Sequence, residues 1–421
     1  MRSKTMYLGL VLIAFMSGFH FYGSTTSSSN QAYAQTSLPR VALSNLVYQG
    51  AFRVPQGSTD QTSYNYGGTA LGYNSSNNSL FMVGHDWYQR SAEISIPTII
   101  NSTNISSLNT ATLRQNFADA TEGKLNQINP NDTNSKKVGG QLVYNSKLYV
   151  SAYSYYDGAG TQSSSHFARP IDLSTTGQVT GPVRVGSQYP GFVSGYMTQI
   201  PSEWQSLFGG PALTGNCCNS ILSVQSNGPA ASVFNPSNVG VVNPVPATPV
   251  VGYPSSNPLS GWNTTNPYFN GTTRVTGIVF PSGTQSVLFF GRHGVGTFCY
   301  GGGAECNDPA DSSKGTHAYP YKYQIWAYDA NDLLAVKNGT KQQWEPRPYA
   351  VWNFNLPFES TNGAHKIGGV DYDPSTGRIY VAQGCEDANC SPIIHVFEVN
   401  VGTPPPSDTT PPSPPTALKV Q

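Results

Sequence analysis

The sequence predicts an all-β protein, a β-propeller for which five blades are preferred. The first observation behind this prediction is a glycine-led unit at residues 367–381, IGGVDYDPSTGRIYV, in which two strand-like segments flank a turn. The unit recurs in more or less degraded form at four other glycines, namely Gly68, Gly140, Gly195 and Gly277. An irregular period of roughly 70 residues is typical of four-stranded propeller blades. The second observation is a strand-like segment at residues 46–54 that has no strand-like neighbour beside it.

That N-terminal segment predicts how the ring closes. Residues 46–54 read LVYQGAFRV, and the last strand-like segment, residues 393–399, reads IIHVFEV. Propellers often complete their last blade with a strand from the N-terminus, which removes an open sheet edge. We therefore expect these two segments to pair and to close a propeller domain that extends over residues 46–401.

The regular blades follow in chain order from the alternation of apolar and polar residues. The strands of the first blade are expected at residues 69–73, 80–83, 92–96 and 111–117. Those of the second blade are expected at residues 141–144, 147–151, 166–173 and 179–185. Those of the fourth blade are expected at residues 275–280, 287–290, 323–328 and 349–354.

The third blade is irregular. Its first strand is expected at residues 196–200, and helical spacing after Pro201 predicts a short helix. Its other strands are expected at residues 221–224, at residues 231–234 and within the proline-rich segment 239–253. Because this region could hide a further blade, six or seven blades remain open as alternatives. A pair of β-sandwiches is another alternative, but it does not explain the recurring glycine-led unit.

The charge content excludes several kinds of partner. Charged residues make up 10% of the chain, compared with about 25% in an average soluble protein. The 22 Lys and Arg residues balance the 22 Asp and Glu residues, so no overall field attracts nucleic acid or an anionic membrane. We expect a monomer that binds no nucleic acid and whose electrostatic interactions are local.

The N-terminus predicts export. Arg2 and Lys4 precede an apolar run at residues 6–19 that is too short to span a bilayer comfortably. A polar stretch then ends in Ala32-Tyr33-Ala34 before Gln35, which fits a signal-peptide cleavage site. We expect residues 1–34 to be a signal peptide and the mature protein, without a membrane span, to be extracellular or on the cell surface. A retained N-terminal anchor is the alternative.

The C-terminal residues form a proline-rich linker followed by a short resemblance. Residues 402–415, GTPPPSDTTPPSPP, are typical of a stiff, solvated linker. The stretch from Asp408, DTTPPSPPTALKV, resembles the entry into a fibronectin type III domain of secreted bacterial enzymes. The resemblance implies a secreted bacterial β-propeller protein in which residues 416–421 begin a truncated domain of that type.

The six cysteines predict disulfides, because an even number in an exported chain is typical of oxidised pairs. Short loops predict the pairs Cys299 with Cys306 and Cys385 with Cys390, and they leave the adjacent Cys217 and Cys218 to each other. Adjacent disulfides occur in quinone-dependent alcohol dehydrogenases, which are also propellers, but this chain lacks their tryptophan-docking repeats. No cofactor is therefore expected. Paired C-x-x-C spacing is also absent from the sequence, so no metal is expected.

Loop positions predict a binding face. In a propeller, the loops that enter each first strand share one face with the loops between second and third strands. The candidate ligand-binding residues on those loops are His85, Asp86, Trp87, Tyr153, Arg292, His293, His365 and Lys366. The alternative for any one of them is support of its own loop through a backbone hydrogen bond. Asp371-Tyr372-Asp373 stands before a turn, and turn capping is its better explanation.

Two classes of function remain for this face. A neutral rim rich in tyrosine suits a carbohydrate polymer or a cell-surface glycan, because aromatic rings pack on sugar rings and amides match their hydroxyls. A secreted or cell-surface binding module for carbohydrate polymers is therefore preferred. A glycoside hydrolase is disfavoured because the inner strands offer only Asp371, whereas hydrolysis usually needs two carboxylates.

The enzymatic alternative is a uronate polysaccharide lyase, and the sequence leaves open whether the protein is an enzyme. Elimination from a uronate needs a cation beside the carboxylate and a residue that takes the acidic proton. His293, Tyr66 and Arg292 are the candidate catalytic residues for that reaction.

Overall fold

A computed structural model describes residues 37–402 apart from residues 359 and 388. The predicted signal peptide, the linker after residue 402 and the predicted start of a fibronectin type III domain lie outside the described residues. Neither α-helix in the described part of the chain has the length and hydropathy needed to cross a bilayer.

Five four-stranded antiparallel sheets form the propeller, so the prediction of five blades is confirmed. Strand β1, Leu46–Arg53, comes first in the chain and belongs to the last sheet. Blade 1 contains β2 to β5, which are Gly72–Asn74, Ser79–Val83, Ser91–Ser95 and Leu113–Ala118. Blade 2 contains β6 to β9, which are Lys136–Tyr144, Lys147–Ser154, His166–Pro170 and Thr180–Val183. Blade 3 contains β10 to β13, which are Met197–Gln199, Ala212–Thr214, Ala231–Phe234 and Ala247–Val251.

Blades 4 and 5 complete the ring. Blade 4 contains β14, β15, β18 and β19, which are Arg274–Val279, Ser286–Gly294, Tyr321–Asp329 and Ala350–Phe354. A small hairpin of β16 (Cys299–Gly301) and β17 (Gly315–His317) is inserted between its second and third strands. Blade 5 contains β20 (Ile367–Asp373), β21 (Arg378–Gln383), β22 (Ile393–Val399) and β1. The two helices are α1 (Ser202–Phe208) and α2 (Ala330–Lys337).

The second strand of blade 3 differs from the prediction. It is Ala212–Thr214, directly after the predicted helix, whereas residues 221–224 form a turn. Leu222 is 56% exposed, so the apolar run that suggested a strand does not have a buried face. The backbone of residues 221–224 is hydrogen-bonded to blade 2 instead, since Val224 N donates to Asp157 O at 3.1 Å.

The N-terminal strand closes the ring as predicted. Strand β1 pairs antiparallel with β22 from Leu46 opposite Val399 to Arg53 opposite Ile393. Phe52 on this strand is fully buried, in a cluster that also includes Ile394. The last blade therefore depends on residues from both ends of the domain.

Glycines of the recurring unit allow the inner strands of neighbouring blades to touch. A Cβ atom at Gly139 would lie 2.1 Å from the carbonyl oxygen of Ser194 in the next blade. At Gly368 it would lie 2.1 Å from the carbonyl oxygen of Gly68. Since Cβ atoms do not approach backbone oxygens this closely, the repeated glycine is a packing requirement of the ring.

We predict that Gly368→Ala destabilises the protein by about 3 kcal/mol, because the new methyl group must push two blades apart. Gly315→Ala is the matched control, since a Cβ there meets nothing within 4 Å. Urea denaturation followed by tryptophan fluorescence measures both changes. Equal stability of the two variants would contradict the packing role of Gly368.

Closure of the ring gives a second prediction. Truncation of the buried Phe52 to Ala should lower the free energy of unfolding by about 3–5 kcal/mol, as in other aromatic truncations in cores. Val47 lies on the same strand but is 43% exposed, so Val47→Ala should change the free energy of unfolding by less than about 0.5 kcal/mol. A small effect of Phe52→Ala in the same denaturation experiment would show that the closing strand contributes little.

Candidate functional site

A cavity of about 370 Å³ opens on the face where the predicted binding loops meet. We call it the axial cavity. Its lining comes from blades 1, 3, 4 and 5, and its polar and charged side chains are Tyr66, Thr69, Asp86, Arg274, Thr276, Arg292 and Lys366. The structure thus brings together Tyr66, Asp86, Arg292 and Lys366, four of the residues that the sequence singled out.

Two other predicted residues lie in the loop after β3, beside the cavity. His85 accepts a hydrogen bond at Nδ1 from the backbone N–H of Trp87, at 3.1 Å. Its ring centroid is 5.5 Å from that of Tyr66 and 5.4 Å from that of Tyr88. His85 therefore supports the loop and the ring of Tyr66, while Trp87 is 83% exposed.

The remaining three predicted residues, like His85 and Trp87, do not line the cavity. His293 is fully buried, and its Nδ1 is 2.9 Å from Thr273 Oγ1. Burial lowers the pKa of His293 to about 4. His365 donates from Nδ1 to the carbonyl oxygen of Gly363 at 2.8 Å. Tyr153 is also buried, and that burial raises the pKa of its hydroxyl.

Arg274 is the charged residue of the cavity lining that was not among the candidates. It is the register partner of Arg292 across β14 and β15, so the two side chains project from the same face of the sheet. Arg274 directly precedes the strand that the sequence predicts at residues 275–280, but only the strand register shows that it stands beside Arg292.

Arg292 is held in place by a carbonyl oxygen and an aromatic ring. Its Nη1 donates to Ala364 O at 2.8 Å, and its guanidinium carbon lies 4.5 Å from the ring centroid of Tyr321. Such a cation–π contact fixes the guanidinium plane over the ring. The orientation of Arg292 in the cavity therefore depends on Tyr321.

Tyr321 is in turn fixed by a buried acid–histidine pair. Its hydroxyl donates to Asp308 Oδ2 at 2.6 Å, and His317 Nδ1 lies 2.8 Å from the same oxygen. Burial raises the pKa of Asp308, but hydrogen bonds from Tyr321 and His317 outweigh it and hold that pKa below its ordinary value. Burial lowers the pKa of His317, but the bonds to Asp308 and Ser313 O outweigh it, so that pKa is raised.

Blade 2 reaches the cavity through an ion pair. Lys137 Nζ contacts Asp86 Oδ2, and it also lies 5.9 Å from the ring centroid of Tyr155. The charge of Asp86 is therefore compensated by a neighbouring blade. Among the described residues that line the axial cavity, Asp86 is the single carboxylate.

Three disulfides are present, Cys217–Cys218, Cys299–Cys306 and Cys385–Cys390. The lining of the axial cavity includes Cys218, Cys385 and Cys390. The backbone N–H of Tyr66 donates to Cys390 O at 2.7 Å, so a disulfide loop of blade 5 holds a residue of blade 1. Cross-linked loops therefore form part of the cavity wall.

The acidic pair Asp371 and Asp373 is separate from the axial cavity. Asp373 accepts hydrogen bonds from Ser375 N and Thr376 Oγ1, which is turn capping. Asp371 accepts from the backbone N–H of Tyr73 in blade 1 and lines a second cavity of about 260 Å³. Burial raises the pKa of Asp371 to about 7. No group of three or more acidic, histidine or cysteine side chains within the described residues could hold a metal ion.

Comparisons with known proteins give no family. No family model matches the sequence, and no curated protein matches it. Similar solved structures include a GH130-family glycoside hydrolase that targets β-1,2-mannosidic linkages in Candida mannan. It is 13% identical, with 85% of this chain and 96% of that chain covered and a TM-score of 0.42.

Two arabinanases are also similar. The Bacillus subtilis enzyme is 10% identical, with 83% and 96% of the two chains covered and a TM-score of 0.42. The GH43 endo-arabinanase of Bacillus licheniformis is 11% identical, with 81% and 95% covered and a TM-score of 0.39. At these identities and TM-scores the similarities support no inference about activity.

The Asp308–His317 pair predicts a pH-dependent stability. The contribution of Asp308 is present above its ordinary pKa of 3.8 and is lost as the pH falls through its lower folded value. The contribution of His317 is present below its ordinary pKa of 6.5 and is lost as the pH rises through its higher folded value. His317→Gln should therefore cost more stability at about pH 5 than at about pH 9.

Urea denaturation of wild type and variant at the two pH values measures this difference. In an Asp308→Asn background, the control, the effect of His317→Gln should differ less between the two pH values, because the partner charge is gone while the contact with Ser313 O remains. An equal cost of His317→Gln at both pH values in the wild-type background would show that the pair contributes no charge-dependent stability.

Proposed function

We propose that the protein is a secreted or cell-surface binding module for a carbohydrate polymer, and that the axial cavity holds a short stretch of that polymer. The observation that supports this proposal is the juxtaposition of a polar cavity with exposed aromatic side chains. Tyr66 in the cavity lining is 63% exposed, and Trp87 in the adjacent loop is 83% exposed. The volume of about 370 Å³ is within the usual range for small-ligand sites.

The chemistry of the cavity matches a sugar. Aromatic faces pack against the C–H faces of sugar rings, and hydroxyl groups of the ligand need hydrogen-bond donors and acceptors. Tyr66 and Trp87 supply the first kind of contact, while Thr69 and Thr276 supply hydroxyls within the cavity. Three disulfides suit a protein that works outside the reducing cytosol.

A uronate polysaccharide lyase is the second candidate, favoured by the position of Tyr66. Tyr66 lines the cavity together with Arg292, and its backbone has a left-handed φ of 56°. Such strain in a non-glycine residue is frequent at functional sites. His293 lies outside the cavity, so Tyr66 is the better proton acceptor.

The lyase reaction would follow from these positions. Arg292 would neutralise the uronate carboxylate, which acidifies the C5 proton. Deprotonated Tyr66 would take that proton, the C5–H electron pair would form a C4–C5 double bond, and the C4–O bond to the next sugar would break. The departing oxygen would take a proton from water, and the hydroxide so formed would remove the proton that Tyr66 had taken. The products are an unsaturated uronate at one new end and a free hydroxyl group at the other.

The binding proposal predicts a loss of affinity for Trp87→Ala. If Trp87 stacks on a sugar ring, its truncation should lower the affinity for the polysaccharide that the wild type binds by about tenfold. Val241 is 74% exposed in the loop between the third and fourth strands of blade 3, so Val241→Ala is the matched control and should leave affinity unchanged. Affinity electrophoresis of both variants on a panel of polysaccharides measures the change. A wild type that binds no polysaccharide would overturn the proposed function.

Absorbance of unsaturated uronates separates the two candidates. A rise during incubation with a uronate polymer would select the lyase, and retention without a rise would select the binding module. If the lyase is correct, Tyr66→Phe should abolish turnover and leave retention almost intact, because a proton acceptor acts mainly in the transition state. Loss of both would make Tyr66 a binding residue instead.

A further inference from the structure

Two arginines stand side by side in the wall of the axial cavity. Arg274 on β14 and Arg292 on β15 are register partners in an antiparallel pair, and both side chains line the cavity. They come from different strands and need no loop rearrangement to meet. The fold therefore builds a local concentration of positive charge into a protein whose formal net charge is +0.

Among the described residues, most of the hydrogen-bond donors of this pair have no protein acceptor. Arg274 donates from Nη1 to Thr273 O at 3.3 Å, and Arg292 donates from Nη1 to Ala364 O at 2.8 Å. Both acceptors are neutral carbonyl groups. Within the described part of the chain, neither guanidinium has a carboxylate oxygen within 4.0 Å. Since each guanidinium has five N–H groups, several donors are free to bind a ligand.

The nearby acidic residues are occupied elsewhere. Asp308 Oδ2 already accepts from Tyr321 and contacts His317. Asp311 Oδ1 accepts from the backbone N–H and the hydroxyl of Ser313. Asp86 contacts Lys137. These carboxylates reduce the positive potential at a distance, but they do not contact the arginine pair.

The pair is electrostatically unfavourable without an anion. Burial lowers the pKa of Arg274. Burial also lowers the pKa of Arg292, and the neighbouring charge of Arg274 lowers it further. Like charges held together in a partly desolvated site cost free energy that a bound oxyanion offsets. The exposed Lys366 adds a third cation to the lining.

We propose that the sugar in the axial cavity is acidic and that Arg274 and Arg292 together bind its carboxylate or sulfate group. This inference rests on the proposed carbohydrate function and names the class of sugar that the cavity selects. The planar guanidinium fork matches the geometry of an oxyanion and gives the stronger, charge-assisted type of hydrogen bond. A neutral sugar would leave the positive pair uncompensated.

Matched polymers test the charge of the ligand. The uronate polymers are alginate, polygalacturonate and hyaluronan, each compared with its carboxyl-reduced form, and dextran sulfate is compared with dextran. At least one acidic polymer should bind the full chain at least about tenfold more tightly than its neutral counterpart, the usual size of one charge-assisted contact. The uronate and sulfate arms identify which oxyanion the site prefers.

Variants test the two arginines. The double substitution Arg274→Gln with Arg292→Gln should reduce the ratio of acidic to neutral affinity towards one and flatten the salt dependence of binding. Arg274→Lys and Arg292→Lys retain the positive charge but not the planar guanidinium fork. Each should therefore retain part of the preference for the acidic polymer over its neutral counterpart. Lys147 is exposed at the start of β7, at the far end of blade 2, and Lys147→Gln is the control that removes one charge without effect on the ratio. Thermal unfolding shows whether each variant is folded.

The outcomes separate the two proposals. Binding of neutral and acidic forms with equal affinity would overturn this inference and leave the proposed function standing. An acidic preference that survives the folded double variant would overturn the role of the arginine pair. Absence of binding to every polymer, acidic or neutral, would overturn the proposed function and this inference with it.

Discussion

Contact between the inner strands of neighbouring blades is the constraint on which the rest of this structure depends. The blades meet backbone to backbone at positions where a methyl group would collide with a carbonyl oxygen, as at Gly139 and Gly368. The same contact places the residues before each first strand near the axis. The segments that carry Tyr66, Arg274 and Lys366 therefore converge because glycine permits the blades to approach.

The convergence of these segments brings together charged side chains, each of which would bind a ligand only weakly on its own. The chain has few charges, and several of those on the loop face are already paired, as Asp86 is with Lys137. The arginines differ because they have carbonyl oxygens and an aromatic ring as neighbours instead of carboxylates. A formal net charge of +0 makes this local excess more selective, since the protein as a whole does not attract anions.

The fold was predictable because its two main signals are local requirements of propeller geometry. The glycine-led unit is present because the inner strands of neighbouring blades touch, and the lone N-terminal strand is present because it closes the ring. The prediction of a strand at residues 221–224 was wrong because a short, largely apolar segment can also form a turn that packs against another blade. Helix α2 was not anticipated, since it is short and follows directly from the long strand β18.

The site was harder to predict because side chains alternate along a strand. Arg292 and His293 are consecutive on β15, so only one of the two can face the cavity, and the structure places Arg292 there. The pairing of Arg274 with Arg292 depends on a register that shifts between Val275 and Gly277. Neither the direction of a side chain nor an irregular register can be read from residue types alone.

Ring closure also has a consequence for how the chain folds. The pairing of Leu46 with Val399 joins residues from opposite ends of the domain, so the propeller has a high contact order and its last sheet can form only after the last strand is available. During synthesis, the first strand therefore remains unpaired while the four preceding blades form. Formation of the closing contact is therefore a late step in folding. A chain that has lost its final strand retains two unpaired strand edges, which leaves it open to proteolysis.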